Sequence, residues 1–187
     1  MSRKIGVLAL QGDFEKHKIA LKQSGAEAKE VRMPQQLKGC DGLVIPGGES
    51  TVLTRLMNLY NFYDPIKIFA KNFPVMGTCA GLIMLSNKVD DDRVKPLKLI
   101  DITVDRNGYG SQVDSFVASV EFKGLQGNFD SYFIRAPKVK MVGENVNVLS
   151  KYADLPIAMC SENILVMSFH PELGGDVRIH KFFIKDY

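Results

Sequence analysis

Cysteine is sparse in this chain: Cys40, Cys79 and Cys160 are odd in number and far apart. With no C-x-x-C spacing they argue against a disulfide framework and against a structural zinc site. No metal is expected, and a reducing, cytoplasmic compartment is. Long hydrophobic runs are missing as well. The opening Met1-Ser-Arg-Lys4 leads into an apolar strand too short for a secretory signal, and no later run approaches membrane-spanning length. Charge of one sign is lacking too, since 24 Lys and Arg face 21 Asp and Glu. The basic residues are spread along the chain instead of forming a stripe, so neither nucleic acid nor an anionic membrane is an expected partner. Repeats, low-complexity tracts and linkers are absent, which argues against a second domain. What is present is 187 residues of 45% hydrophobic content, enough to bury a full core, and 1–187 reads as one domain.

Along the chain, apolar strands alternate with helices. Strands are expected at 5–10, 28–31, 43–45 and 75–77, and helices at 14–24, 50–59 and 65–70. In the first helix Ile19 and Ala20 are expected to face inward, with Gly25 as the stop. Continuous apolar strands separated by helices indicate a parallel sheet covered on both faces, whose sites gather at the carboxyl ends of strands. Beyond Lys88 the pattern changes. Asp90-Asp-Asp92 reads as a solvated turn, short strands follow at 99–104, 115–122, 132–136 and 146–150, and 156–160 with 164–169 forms a hairpin. A last helix is expected at 177–184. The fold class is therefore α/β, a three-layer sandwich with a mostly parallel, flavodoxin-like sheet that antiparallel strands of the C-terminal half complete.

Three segments carry chemistry. In Val75-Met-Gly-Thr-Cys79-Ala-Gly81 a short apolar strand meets two glycines and turns into the apolar run Leu82-Ile-Met-Leu85. That is the layout of a nucleophile elbow, with a thiol in place of the usual hydroxyl. The N–H groups of a helix start carry partial positive charge, which favours a thiolate at Cys79. The second segment is the apolar strand Ile164-Leu-Val-Met-Ser-Phe169, which runs into His170-Pro171-Glu172. Residues two apart on a strand share a face, so the carboxylate can fix the tautomer of the imidazole and stabilise its charged form. Proline between them has no N–H for a ladder, which puts the pair at a strand end or edge. Cys79, His170 and Glu172 form the candidate triad. The third segment, Asp41-Gly-Leu-Val-Ile-Pro46-Gly47-Gly48-Glu49-Ser50-Thr51, is a strand followed by paired glycines and a helix start. Such a loop suits an oxyanion hole made by Gly48 N–H and Ala80 N–H, and it suits a phosphate equally well.

PGGEST, GTCAG and FHPE, in that order and at these separations, resemble the class I, triad-type glutamine amidotransferases. More narrowly, IGVLALQGD, RNxYGxQVDSF, FIRAP and FHPEL resemble the glutaminase subunits of pyridoxal 5′-phosphate synthase, over almost the whole chain. The resemblance implies hydrolysis of L-glutamine to glutamate and ammonia without a cofactor. It also implies a barrel-shaped synthase subunit as partner, which combines the ammonia with a pentose phosphate and a triose phosphate. By the same resemblance the glutamine site comprises Gly47, Gly48, Glu49, Arg106, Ile134 and Arg135, and Gln11 lies near the partner interface and the oxyanion loop, where docking activates the enzyme. Departures are Ser111 in place of the usual arginine, Gly108 and Tyr109 in place of alanine and phenylalanine, and the glycines of Leu173-Gly-Gly175-Asp176.

Two other classes fit parts of the pattern. A cysteine hydrolase of the protease or deglycase kind also carries its thiol at a strand-to-helix elbow, although His170-Pro171-Glu172 and the PGG loop speak against it. A non-catalytic module holding a phosphate on PGGEST would leave Cys79, His170 and Glu172 without a role.

Overall fold

Alternation of strand and helix holds through the first half of the computed structural model, which describes residues 2–106, 108 and 115–187. Its elements are β1 (Lys4–Leu8), α1 (Phe14–Gln23), β2 (Glu27–Val31), β3 (Gly42–Ile45), α2 (Ser50–Leu59), α3 (Tyr63–Phe69), β4 (Val75–Thr78) and α4 (Ala80–Leu85). The second half supplies β5 (Ser86–Val89), β6 (Ile100–Asp105), β7 (Ser115–Glu121), β8 (Asn128–Ile134), β9 (Lys138–Val142), β10 (Asn147–Tyr152), β11 (Leu155–Ser161), β12 (Ile164–Met167) and α5 (Arg178–Asp186). Seven strands form the main sheet in the order β10-β11-β12-β4-β3-β1-β2. From β12 to β2 the pairing is parallel, and β11 and β10 add an antiparallel edge. No helix among the described residues is long and apolar enough to cross a membrane.

The central strands β3, β4 and β12 are buried at every position because both faces of the sheet are covered there. Successive side chains point to opposite faces. Leu43, Ile45, Val75, Ile164 and Val166 thus enter one core with Leu53, Met57, Ile66 and Leu82 from α2, α3 and α4. Val44, Met76, Leu165 and Met167 enter the other with Leu21 of α1 and Ile179 and Phe183 of α5. This is the expected three-layer arrangement.

Several expectations need correction. Ile19 is 49% exposed, while His17, Ala20 and Leu21 are buried. The buried stripe of α1 follows the helical spacing 17, 20, 21, and position 19 lies outside it. Only part of the second half completes the main sheet. β5, β6 and β9 make a separate three-stranded sheet, and β7 with β8 a two-stranded one. The strand expected at 132–136 starts at Asn128 and stops at Ile134, where Arg135 turns to a φ of 44°. β5 and β9 are short, mixed polar strands without the apolar run that marks β1, β3, β4 and β12. Asp91 is not merely solvated, because it pairs with Arg93 and Arg106.

One turn decides where the chemistry lies. β4 passes into α4 at Cys79 with no intervening loop, which forces the first turn of α4 against β3 and β4. A Cβ on Gly81 would overlap Ile45 O, and one on Gly77 would sit 2.7 Å from the Gly81 backbone. Both neighbours are backbone in the sheet or helix and cannot rotate aside. Gly81→Ala is expected to lower stability by about 2 kcal/mol or more, a fall of several degrees in the thermal midpoint. An unchanged melting curve would show that the elbow has slack.

Candidate active site

At the elbow Cys79 has φ 50° and ψ −106°, a conformation L side chains rarely adopt. Such strain persists only where surrounding structure over-determines it. Here the Cys79 N–H donates to Met167 O at 2.9 Å, which continues the β4–β12 ladder and prevents the turn from relaxing. The side chain is thereby pushed out over the carboxyl end of the sheet. Its Sγ lies 3.8 Å from Ile134 O at the end of β8.

Parallel pairing of Met167 with Thr78 brings the end of β12 to the same level. Two residues beyond Ser168, His170 arrives beside Cys79, and its N–H donates to Tyr132 O at 2.8 Å, so the β7–β8 hairpin anchors it. Its Nδ1 donates to Glu172 Oε1 at 2.7 Å, which turns the other ring nitrogen to the thiol. Burial works against a charged His170, but its hydrogen bonds to the Cys79 sulfur and the Glu172 carboxylate outweigh that and push its pKa up to about 10. Burial likewise opposes the Glu172 carboxylate, and the neighbouring His17 and His170 outweigh it, leaving the group at about 2. The sulfur, imidazole and carboxylate expected from sequence therefore meet in one chain of contacts.

Linkage follows from these directions. The raised pKa of His170 contributes stability that is complete below its ordinary 6.5 and fades as the pH climbs through about 10. The depressed pKa of Glu172 contributes stability that is complete above about 4.5 and is lost as the pH falls through about 2.

The PGG loop forms the opposite wall. A Cβ on Gly47 would stand 2.5 Å from His170 Cε1 and 3.4 Å from Cys79 Cβ, so only glycine lets the loop approach the relay. Gly48 has φ 146°, and a Cβ there would overlap the Gln11 amide. Gln11 Oε1 accepts the Glu49 N–H at 3.0 Å, which ties the β1–α1 turn to the loop. Across the thiol, Ala80 is the first residue of α4, where helix N–H groups have no partner within the helix. A cavity of about 460 Å³ separates these walls, and Gly47, Gly48, Glu49, Cys79, Arg106, Ile134, Arg135 and His170 line it. A larger hollow of about 650 Å³ beside β7 and β10 is lined by no thiol or imidazole, so the smaller one is the candidate site.

The structure thus gathers the expected residues around one cleft. Arg106 is less free than the sequence suggested. Its Nε donates to Ser50 Oγ at 3.0 Å, its Nη1 to Asp91 at 2.8 Å and its Nη2 to Glu49. Glu49 caps α2 by accepting the Thr51 N–H. The Tyr109 and Ser111 departures lie outside the described residues.

Sequence reasoning missed the ground behind Glu172. His17 of α1, His180 of α5 and Thr78 of β4 are all fully buried there. The chain has three histidines, and the other two stand against the same triad. That scarcity was the only available signal, because His17 and His180 sit in ordinary helices 163 residues apart.

Comparison with known proteins agrees with this geometry. Residues 7–187 match the model of the SNO glutamine amidotransferase family. Over 182 residues the chain is 52% identical to the pyridoxal 5′-phosphate synthase subunit PdxT of Thermosipho africanus, covering 97% of each chain. The subunit of the same name from Oenococcus oeni is 49% identical, with 99% of this chain and 97% of that one covered. A solved glutamine amidotransferase superposes with a TM-score of 0.92 at 42% identity, covering 97% of both chains.

If the thiol and the ring are partners, removing the sulfur must lower the pKa of the ring. Followed by ¹⁵N NMR, His170 should stay doubly protonated to about pH 10 in the wild type and lose that proton at clearly lower pH in Cys79→Ala. Equal midpoints in the two proteins would uncouple sulfur from imidazole.

Proposed function

The chain belongs to the SNO glutamine amidotransferase family, and on that premise we propose how its residues 1–187 work as a single glutaminase domain. It hydrolyses L-glutamine to L-glutamate and ammonia, and it supplies the ammonia to a synthase subunit that makes pyridoxal 5′-phosphate. Cys79 is the nucleophile. Its thiolate adds to the side-chain amide carbon, and the oxyanion that forms accepts hydrogen bonds from Gly48 N–H and Ala80 N–H. Charged His170 then gives its proton to the departing nitrogen, the C–N bond breaks, and ammonia leaves a γ-glutamyl thioester on the sulfur. Now neutral, the same imidazole takes a proton from water, which attacks the thioester and expels the thiolate with glutamate. Glu172 holds the ring and offsets its charge throughout.

The observation that carries this reading is His170 standing between Cys79 and Glu172, 2.7 Å from the carboxylate, at the wall of the cleft. A phosphate-holding module would have no use for that relay. Within the cleft Arg135 is the better candidate for the substrate α-carboxylate, since Arg106 already points all three of its nitrogens at Ser50, Asp91 and Glu49. Arg106 then acts by holding Glu49 and the loop in place, with Gly47, Glu49 and Ile134 completing the glutamine site. Gln11 links the loop to the β1–α1 turn, so a partner docking on that turn would act directly on the oxyanion donors. We assign this partner as the barrel-shaped synthase that joins a pentose phosphate, a triose phosphate and ammonia. A cytoplasmic site is supported by the three free cysteines.

Glutamate release, assayed with and without the synthase, tests the assignment. Cys79→Ala should lose at least about 10⁴-fold in kcat. His170→Asn should retain glutamine binding and lose turnover, and the free chain should be much slower than the complex. Full-rate hydrolysis by the free chain would remove the docking dependence, and turnover by Cys79→Ala would remove the thioester.

A further inference from the structure

Glu172 has two carboxylate oxygens, and the triad uses one. Oε1 accepts from His170 Nδ1, while Oε2 is buried and has no hydrogen-bond partner among the described residues. His17 Nε2 lies 3.2 Å from it, with both side chains fully buried. The same nitrogen lies 3.1 Å from Thr78 Oγ1, and His17 Nδ1 lies 3.0 Å from His180 Nε2. Burial lowers the pKa of His17, and it pushes His180 down to about 3, so both rings are neutral.

Tautomers follow from the acceptors. An ionised carboxylate only accepts, so a lone pair on His17 Nε2 would face its negative charge. The proton therefore belongs on Nε2, Nδ1 is left as an acceptor, and His180 must supply Nε2–H to it. Its own Nδ1 is buried without a partner among the described residues, which as a neutral acceptor is the least costly end for the chain.

We propose that His17 is a positioning residue of the triad: backed by His180, its Nε2–H anchors the outer oxygen of Glu172 so that the inner oxygen stays on His170. This rests on glutamine hydrolysis by Cys79. Without the anchor Glu172 has a buried, unsatisfied oxygen, and the carboxyl can rotate or take up a proton; either releases the imidazole. Groups facing His17 are Glu172 and His170 beyond β12, His180 on α5 and Asp13 before α1. Lys16 and Asp176 border a small cavity that Glu172 also lines.

The test uses the chain in complex with its synthase, as wild type, His17→Leu and His17→Gln. The Gln amide carries an N–H near the position of Nε2. In His17→Leu, kcat should fall roughly tenfold to a hundredfold with KM for glutamine little changed. Its acid limb should move up by about one pH unit, because protonation of Glu172 is less opposed. His17→Gln should recover all but a few-fold of both effects. In the wild type, ¹⁵N spectra of the three histidines should show Nε2–H tautomers for His17 and His180, unchanged from roughly pH 5.5 to 8.5. An Nδ1–H tautomer at His17, a folded His17→Leu with wild-type kcat and acid limb, or a His17→Gln no better than His17→Leu would each overturn the proposal. Should His17→Leu fail to fold, the spectra and His17→Gln still decide. No turnover by the wild-type complex would instead sink the glutaminase reading itself.

Discussion

Parallel pairing of β4 with β12 is the constraint from which the site follows. Thr78 lies opposite Met167, and the next N–H along, that of Cys79, donates to Met167 O. Both strands therefore stop at the same height, one delivering a thiol and the other an imidazole. A slip of one residue would turn the side chains of β12 to the opposite faces and carry His170 away from the sulfur. The two cores make that slip costly, since Ile164 and Val166 are buried on one side and Leu165 and Met167 on the other.

The second constraint is electrostatic. The site places charge where burial opposes it, and holds that charge by closing each group onto a partner. His170 is raised by the thiol and the carboxylate, and Glu172 is kept ionised between two rings. Such a network is strong only while every member is satisfied, because a buried charge without a partner costs several kcal/mol. Layers on both sides of the sheet contribute. α1 and α5 bring His17 and His180 to the rear of the carboxylate, whereas α2 and the PGG loop wall the cleft in front of the thiol.

Glycine gives that cleft its shape. Gly47 lets backbone lie against the ring of His170, Gly48 against the amide of Gln11, and Gly81 lets α4 start directly on β3. Each close approach removes room for water or for a side chain at a point where substrate must fit. The Cys79 strain belongs to the same economy of space, since a relaxed turn would withdraw the thiol from the cavity.

Much of this was legible in the amino-acid order. Unbroken apolar strands between helices implied a parallel sheet buried on both faces, and GTCAG, PGGEST and FHPE pointed to the proposed nucleophile, its loop and its imidazole–carboxylate pair because each motif is a local backbone requirement. Local patterns failed where an outcome depended on packing between distant segments. Ile19 looks as apolar as Ala20, and only the direction in which α1 docks exposes it. β7 and β8 read as ordinary strands, but whether they extend the main sheet or stand beside it depends on hydrogen-bond partners far away in the chain. Arg106 shows a cation to the sequence, and its three engagements exist only once β6 and α2 are neighbours. His17 and His180 carry no local mark at all. Residue order by itself determined the alternating architecture and the candidate groups; tertiary structure alone decided which of their atoms face one another, because side-chain partnership is set by long-range burial and register.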